Sequence, residues 1–179
     1  NENGTDPREK FRIRIYNCSK ERISLELKRK ERGMCLKTSC HVPLEVLEEI
    51  IAGKIPDFTS EMPYLLKKLI CQMQFRALRP VEIVAYERVP FTYEDGNVRI
   101  TFDRNLRSSS NIEDFFNEDA AFRSIFPFGT NMIEVKYDEL LPDFINETLQ
   151  TSALQWNSFS KYYLCRKFDI QGLRCGFRV

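Results

Sequence analysis

Arg8-Glu9-Lys10-Phe11-Arg12-Ile13-Arg14-Ile15-Tyr16 repeats with a period of two, and that period decides how the chain is read. Successive side chains of a strand point to opposite faces. Arg8, Lys10, Arg12 and Arg14 therefore share one face, and Phe11, Ile13 and Ile15 share the other. Asn17-Cys18-Ser19-Lys20 follows as a turn. Ile23, Leu25 and Leu27 then alternate with Ser24, Glu26, Lys28 and Lys30. Gly33 permits another turn into a short third strand around residues 34–40, which carries Lys37. The three segments predict an antiparallel meander with one apolar face and one strongly cationic face.

Further along, Pro43 opens a short helix through about Ala52, ended by Gly53. Leu65, Leu66, Leu69, Ile70 and Met73 predict a longer helix over residues 60–78. Beyond Pro80 the period returns to two. Residues 81–92 and 97–104 read as a hairpin, with Glu94-Asp95-Gly96-Asn97 as its turn. Residues 105–130 are polar, then aromatic, and read as a long irregular or partly helical excursion. Residues 132–138 form another strand, with Glu134 and Lys136 on one face and Ile133, Val135 and Tyr137 on the other. Helices are expected over residues 139–150 and 158–165, and no internal repeat is apparent.

The chain has 179 residues, enough for a single domain spanning 1–179 with a sizeable core. Its 42% hydrophobic and 30% charged residues exclude a disordered or low-complexity chain. No apolar run approaches the ~18 residues a membrane helix needs, and the start lacks a signal-peptide pattern. The reading is a soluble domain, and the opening at Asn1 instead of Met implies a cut piece. The net charge of +1 hides an asymmetry. Residues 1–37 hold 11 Lys/Arg against 6 Asp/Glu, and residues 111–150 hold 2 against 9. Cations gathered in this way point to an anionic partner, for which a nucleic acid, a nucleotide and a phosphate polymer all fit.

Six cysteines, at positions 18, 35, 40, 71, 165 and 175, include no C-x-x-C pair. An even count and the N-x-S/T triplets at Asn3, Asn17 and Asn146 fit a secreted disulfide framework, but a domain of this size needs no such staples. Cys35, Cys40 and His41 offer three zinc ligands without a fourth at a familiar spacing. Structural or free thiols in a cytoplasmic protein are the expectation.

Charge inside strands is the recurring feature: Arg12, Arg14, Glu26, Lys28, Lys30, Arg88, Arg99, Asp103, Glu134 and Lys136 all oppose apolar faces. A sheet with one solvated face accounts for alternation. A closed antiparallel barrel with a wet cationic lumen and helices outside accounts also for the Arg/Lys bias, since like charges on neighbouring strands repel unless an anion lies between them.

Six motifs in order resemble the polyphosphate polymerase domain of the vacuolar transporter chaperone (VTC) type, within the triphosphate tunnel, or CYTH, superfamily. Lys10-Phe11-Arg12-Ile13-Arg14 is similar to the basic R-x-R strand. Leu25-Glu26-Leu27-Lys28-Arg29-Lys30, followed by Lys37, is similar to the E-x-K-x-K strand and the lysine after it. Tyr86-Glu87-Arg88-Val89-Pro90-Phe91 resembles Y-x-R-x-x-F, and Val98-Arg99-Ile100-Thr101-Phe102-Asp103 resembles V-R-I-T-x-D. Glu134-Val135-Lys136 and Phe159-Ser160-Lys161-Tyr162 match the E-V-K and F-S-K-[YF] signatures.

The resemblance implies an α+β fold: an antiparallel barrel, the triphosphate tunnel, with a basic polar lumen and helices packed outside. It implies transfer of the γ-phosphoryl group of a nucleoside triphosphate, ATP above all, onto polyphosphate, with Mn²⁺ or Mg²⁺ as cofactor. Phosphoryl transfer asks a protein chiefly for positioning and charge neutralisation, which suits Arg forks and Lys point charges. By resemblance Arg12, Arg14, Lys37, Arg88, Arg99 and Lys161 grip the reacting phosphates, and Lys28, Lys30, Lys136 and Ser160 bind substrate. Glu134 is the implied metal ligand, with Glu26 beside the lysines as a second. Asp103 and Lys136 equally suit an internal ion pair.

The family's tunnel places a strand ahead of R-x-R, and nothing between Asn1 and Pro7 reads as one. The barrel of this stretch is therefore expected to be incomplete at its N-terminus, and the fragment inactive on its own. A triphosphate hydrolase or cyclase of the same fold, or a polyanion-binding module without catalysis, are the alternatives. A nucleic-acid barrel is disfavoured, because the aromatics alternate onto the apolar faces. No segment anchors to lipid, although the resemblance leaves room for a membrane-associated partner.

Overall fold

The computed structural model describes residues 6–150, 154 and 159–167. They form an α+β fold with two antiparallel sheets, divided into two compact units. One comprises the described residues up to 81 together with 111–120, and the other comprises 82–110 and those from 121 on.

In the first unit the meander forms as its alternation predicts. Strands β1 (Arg8–Arg14), β2 (Ser24–Glu31) and β3 (Met34–His41) pair in that order. Arg32 and Gly33 make the two-residue turn between β2 and β3, both with positive φ (50° and 80°), the backbone of a type I′ hairpin. The apolar faces of β1 and β2 pack against helices α1 (Leu44–Ile51) and α2 (Tyr64–Arg76). Leu25, Val42, Leu66 and Ile70 are wholly inaccessible at the centre of this core. Burial of each such side chain is worth about 1.5–3 kcal/mol, which fixes which face of the sheet is left to solvent. Each helix begins directly after a proline, Pro43 and Pro63, whose fixed φ suits a helix start. α2 is shorter than its apolar spacing predicts because Ala77 turns left-handed and closes it.

In the second unit β5 (Val98–Ser109) is central. It pairs with β4 (Ile83–Tyr93) along its length and with β6 (Arg123–Ser124) and β7 (Met132–Lys136) towards its two ends. Gly96 in the β4–β5 turn has φ +75°, and a Cβ there would lie 2.3 Å from the Leu140 carbonyl oxygen, so only glycine fits. Helix α3 (Asp143–Leu149) follows Pro142 and sets Phe144 edge-on to Tyr93 at 5.3 Å. A last helix, α4, covers residues 161–167 and buries Cys165 with Leu106 and Ile125. Ser158, the expected start of that helix, lies outside the described residues.

The structure corrects the start of the long irregular or partly helical excursion read over residues 105–130, and bears out its helical part at Ile112–Phe116. β5 runs on to Ser109, because a bulge in β5 at Asn105–Leu106, opposite Tyr86, brings Ala85 opposite Arg107 and Ile83 opposite Ser109. Leu106 and Ser108 are buried there, although the polar run around them contains no β-branched residue. A helical turn at Ile112–Phe116 then contributes Phe115 and Phe116 to the core of the first unit. Cys18, Cys35, Cys40, Cys71 and Cys165 are thiols, none of them in a disulfide.

Candidate functional site

The solvent face of the first sheet is a grid set by register. Arg8 stands opposite Lys30 and Cys35, Lys10 opposite Lys28 and Lys37, Arg12 opposite Glu26 and Ser39, and Arg14 opposite Ser24 and His41. Glu26 is the sole carboxylate on these rungs, and its side chain is only 8% exposed. Arg12 binds it through Nε at 2.9 Å and through its Nη2 group. Lys37 Nζ lies 3.0 Å from its Oε1 and Arg14 Nη1 3.6 Å away. Burial pushes the Glu26 pKa up, but hydrogen bonds from Arg12 and Lys37 outweigh it and hold the carboxyl below its ordinary range. Three cations so gathered around one anion leave little room for a metal ion. The geometry makes Glu26 the organiser of Arg12, Arg14 and Lys37.

The polar face of the second sheet is built around Asp103, whose side chain is 1% exposed. Arg88, directly opposite in register, donates a two-pronged pair to it, Nε to Oδ1 at 2.6 Å and Nη2 to Oδ2 at 2.7 Å. Lys161, from α4, reaches the same carboxylate at 2.6 Å. Burial raises the Asp103 pKa, and the hydrogen bonds from Arg88 and Lys161 override it, so the group stays ionised. The Asp103 hydrogen bonds in turn push Arg88 further up. Tyr86 lies under both cations, its ring 5.2 Å from Arg88 Cζ and 5.1 Å from Lys161 Nζ.

Glu134 sits one rung away, opposite Thr101. Its carboxylate takes Lys136 at 3.0 Å and Arg88 at 3.4 Å. Burial raises its pKa, while the Lys136 hydrogen bond and the charges of Lys136, Lys161 and Arg88 lower it, and the lowering prevails. At 37% exposure this is an ionised carboxylate still open to solvent. Among the described residues no group of three or more His, Cys, Asp or Glu converges on one point, which also leaves Cys35, Cys40 and His41 without a zinc geometry. Glu134 thus offers a divalent ion one hard oxygen ligand and fits such an ion only where substrate phosphates supply the rest of the shell.

The structure therefore brings Arg12, Arg14, Lys28, Lys30, Lys37 and Glu26 together on one sheet, and Arg88, Arg99, Glu134, Lys136 and Lys161 together on the other. Arg99 is exposed and stands opposite Lys136. Ser160 caps α4, its Oγ accepting the Tyr163 backbone N–H at 3.4 Å, so its hydroxyl holds the helix that presents Lys161. The expected Asp103–Lys136 pair is not formed. Asp103 is opposite Arg88, whereas Lys136 is opposite Arg99, two rungs along, and pairs with Glu134 instead. Sequence reading singled out neither Tyr86 nor Met132 as a site residue. Met132 places its sulfur 3.6 Å from Lys161 Nζ, and its position opposite Asp103 becomes visible only once β5–β7 register is known.

No curated protein and no solved structure matches the chain. A family model, the VTC domain, matches residues 1–168, and the chain belongs to that family.

Proposed function

We propose that the protein is a polyphosphate polymerase, transferring the γ-phosphoryl group of a nucleoside triphosphate, ATP first among candidates, to the end of a polyphosphate chain. Membership of the VTC domain family directs the reading towards polyphosphate. The observation that carries it is the cluster in which one exposed, ionised carboxylate, Glu134, is set among Arg88, Lys136 and Lys161. A closed barrel-type tunnel, the architecture implied by the family resemblance, belongs to the same proposal.

In this reaction a terminal phosphate oxygen of the chain attacks the γ-phosphorus, the bond to the bridging β–γ oxygen breaks, and nucleoside diphosphate leaves. No protein nucleophile is required. Arg88, locked in orientation by Asp103, offers its guanidinium edge to phosphate oxygens, and Lys161 and Arg99 neutralise charge that spreads over them. Glu134 would hold Mn²⁺ or Mg²⁺ together with the phosphates, and such an ion supplies further charge neutralisation when bound. Arg12, Arg14 and Lys37, organised by Glu26, offer a second phosphate-binding surface on the first sheet.

The test is incubation of the full-length protein with ATP and Mn²⁺, with and without a short polyphosphate primer, and resolution of products on a polyphosphate-stained gel. Long chains plus ADP, lost in Glu134→Gln, are expected. Free phosphate or pyrophosphate without chains would overturn the polymerase in favour of a hydrolase or cyclase, and binding without turnover would leave a polyanion-binding module.

A further inference from the structure

We infer that Glu82 is a positioning residue for Lys161, acting through Arg166 and α4 and touching no substrate itself. The inference rests on the proposed function above for the identity of the anion that Lys161 meets. It deepens that reading by adding a residue that none of the family motifs designates.

Arg88, Arg99 and Lys136 are carried by strands, whose places are fixed by the register of β4, β5 and β7. Lys161 is carried instead by α4, a short helix over residues 161–167. Its Nζ reaches Asp103 at 2.6 Å, over the ring of Tyr86 and 3.6 Å from the Met132 sulfur. A side chain on so short a helix is placed only as well as the helix is docked. The middle of α4 docks through apolar contact, with Leu164 and Cys165 in one cluster with Val84, Leu106 and Ile125. Apolar contact is non-directional and leaves a helix able to slide.

The far end of α4 is held differently. Glu82, one residue ahead of β4, has a wholly buried side chain, and Arg166 Nη1 lies 3.7 Å from its Oε2. Strand alternation sets Glu82 on the face of Val84, Tyr86 and Arg88, the face on which α4 packs. Glu82 and Arg88 are six residues apart in extended chain, about 20 Å. From Lys161 to Arg166 the helix advances only about 7.5 Å. The two long side chains supply most of the remaining reach, one to Asp103 and one to Glu82. α4 is thus pinned at both ends to buried carboxylates, with little slack along the sheet. A carboxylate removed from water attracts a nearby guanidinium with little screening. Such a pair is weak evidence of added stability and better suited to selecting one arrangement. The arrangement selected here sets Lys161 Nζ among Asp103, Tyr86 and Met132.

The experiment measures tripolyphosphate binding to the full-length protein by calorimetry, without nucleotide, for Glu82→Gln, Lys161→Met and the double variant. Lys161→Met is expected to weaken binding about tenfold, the scale of one charged hydrogen bond. Glu82→Gln is expected to reproduce most of that loss, about fivefold, and the double variant to bind within about twofold of Lys161→Met alone. Arg166→Gln, at the partly exposed end of the pair, runs through the same cycle and gives the same result if Glu82→Gln fails to fold. Ile145→Ala, a core change in α3 at the Tyr93 end of β4, controls for lost stability and is expected to keep affinity within about twofold. Losses that multiply to about fiftyfold in the double variant would overturn the positioning role. So would undiminished affinity in Arg166→Gln or in Lys161→Met, or an equal loss in Ile145→Ala. Chain synthesis from ATP is followed separately. Non-additive binding losses in a protein that makes no chains would sink the polymerase and keep the role of Glu82, and chain synthesis with multiplying losses would do the reverse.

Discussion

The two sheets carry cations in opposite ways. On the first, Arg12, Arg14 and Lys37 converge on one buried carboxylate, Glu26, within a face rich in Lys and Arg. On the second, Arg88, Lys136 and Lys161 are each matched to Asp103 or Glu134 at hydrogen-bonding distance. A face rich in Lys and Arg attracts polyanions through charge alone and tolerates variation in where those charges fall. A balanced cluster holds each side chain in one orientation, which is what a reaction centre requires. The difference teaches that a count of basic residues alone cannot tell binding from catalysis, whereas the placement of the few acids can.

The sharpest way to break the comparison is at Arg88. Arg88→Lys keeps the charge but loses the two-pronged pair with Asp103. Chain synthesis from ATP is expected to fall by about 10²–10³-fold, the scale of losing one oriented donor. The equivalent exchange on the first sheet, Lys28→Arg, is expected to change rates little, and similar losses at both positions would erase the distinction.

Next in size is Asp103→Asn, which strands Arg88 and Lys161 over a buried amide. A stability loss of about 3 kcal/mol is expected by urea denaturation, the magnitude for removing one partner of a buried pair. Glu26→Gln removes the anion from a site whose cations are half exposed, so a smaller loss of about 1 kcal/mol is expected. Added polyphosphate is expected to restore that loss for Glu26→Gln and to leave Asp103→Asn unrestored, by the same denaturation measurement.

Proton linkage divides the sheets further. Asp103, Glu134 and Glu26 all titrate lower in the folded state than in the unfolded chain, where carboxyls lie near ~4. The unfolded state therefore binds protons first. Stability present above about pH 4 is lost as pH falls through the folded values, and Asp103→Asn is expected to flatten that loss in a pH series of melts. Lys10 works at the other end. Its folded pKa is depressed below the usual ~10.4, so the unfolded state holds the proton more tightly and stability rises as pH climbs through the folded value. Lys10→Gln is expected to stabilise the anion-free protein at pH 7 by about 0.5 kcal/mol, read as a higher Tm, the smallest effect here.

The first sheet was legible because its alternation is regular: Phe11, Ile13, Leu25 and Leu27 mark one face along most of its length. The second was legible only in part. The extension of β5 depends on a bulge at Asn105–Leu106, opposite Tyr86, and on β6, features of pairing that polar residues such as Asn105 and Ser108 do not announce. Family motifs pointed to Arg88, Glu134 and Lys161 as individuals. That Asp103 would join Arg88 to Lys161, residues 73 positions apart in the chain, is a product of register and of where α4 docks. The role of Glu26 as an organiser was likewise hidden, because its three partners come from two different strands.

The placement of Glu9 against Lys68 bears on how the meander finds its alignment during folding. Strand side chains alternate with a period of two, so a slip of one residue reverses which face each of them occupies. For β1 that slip would drive Arg8, Lys10, Arg12 and Arg14 beneath α1 and α2 and lift Phe11 and Ile13 into water, while separating Glu9 from Lys68. Burying even one unpaired cation costs several kcal/mol, far more than any ladder hydrogen bond regained. The alternation that sets these cations on one face is thus also a proofreading code for strand register, making the correct pairing the only one the hydrophobic core can accept.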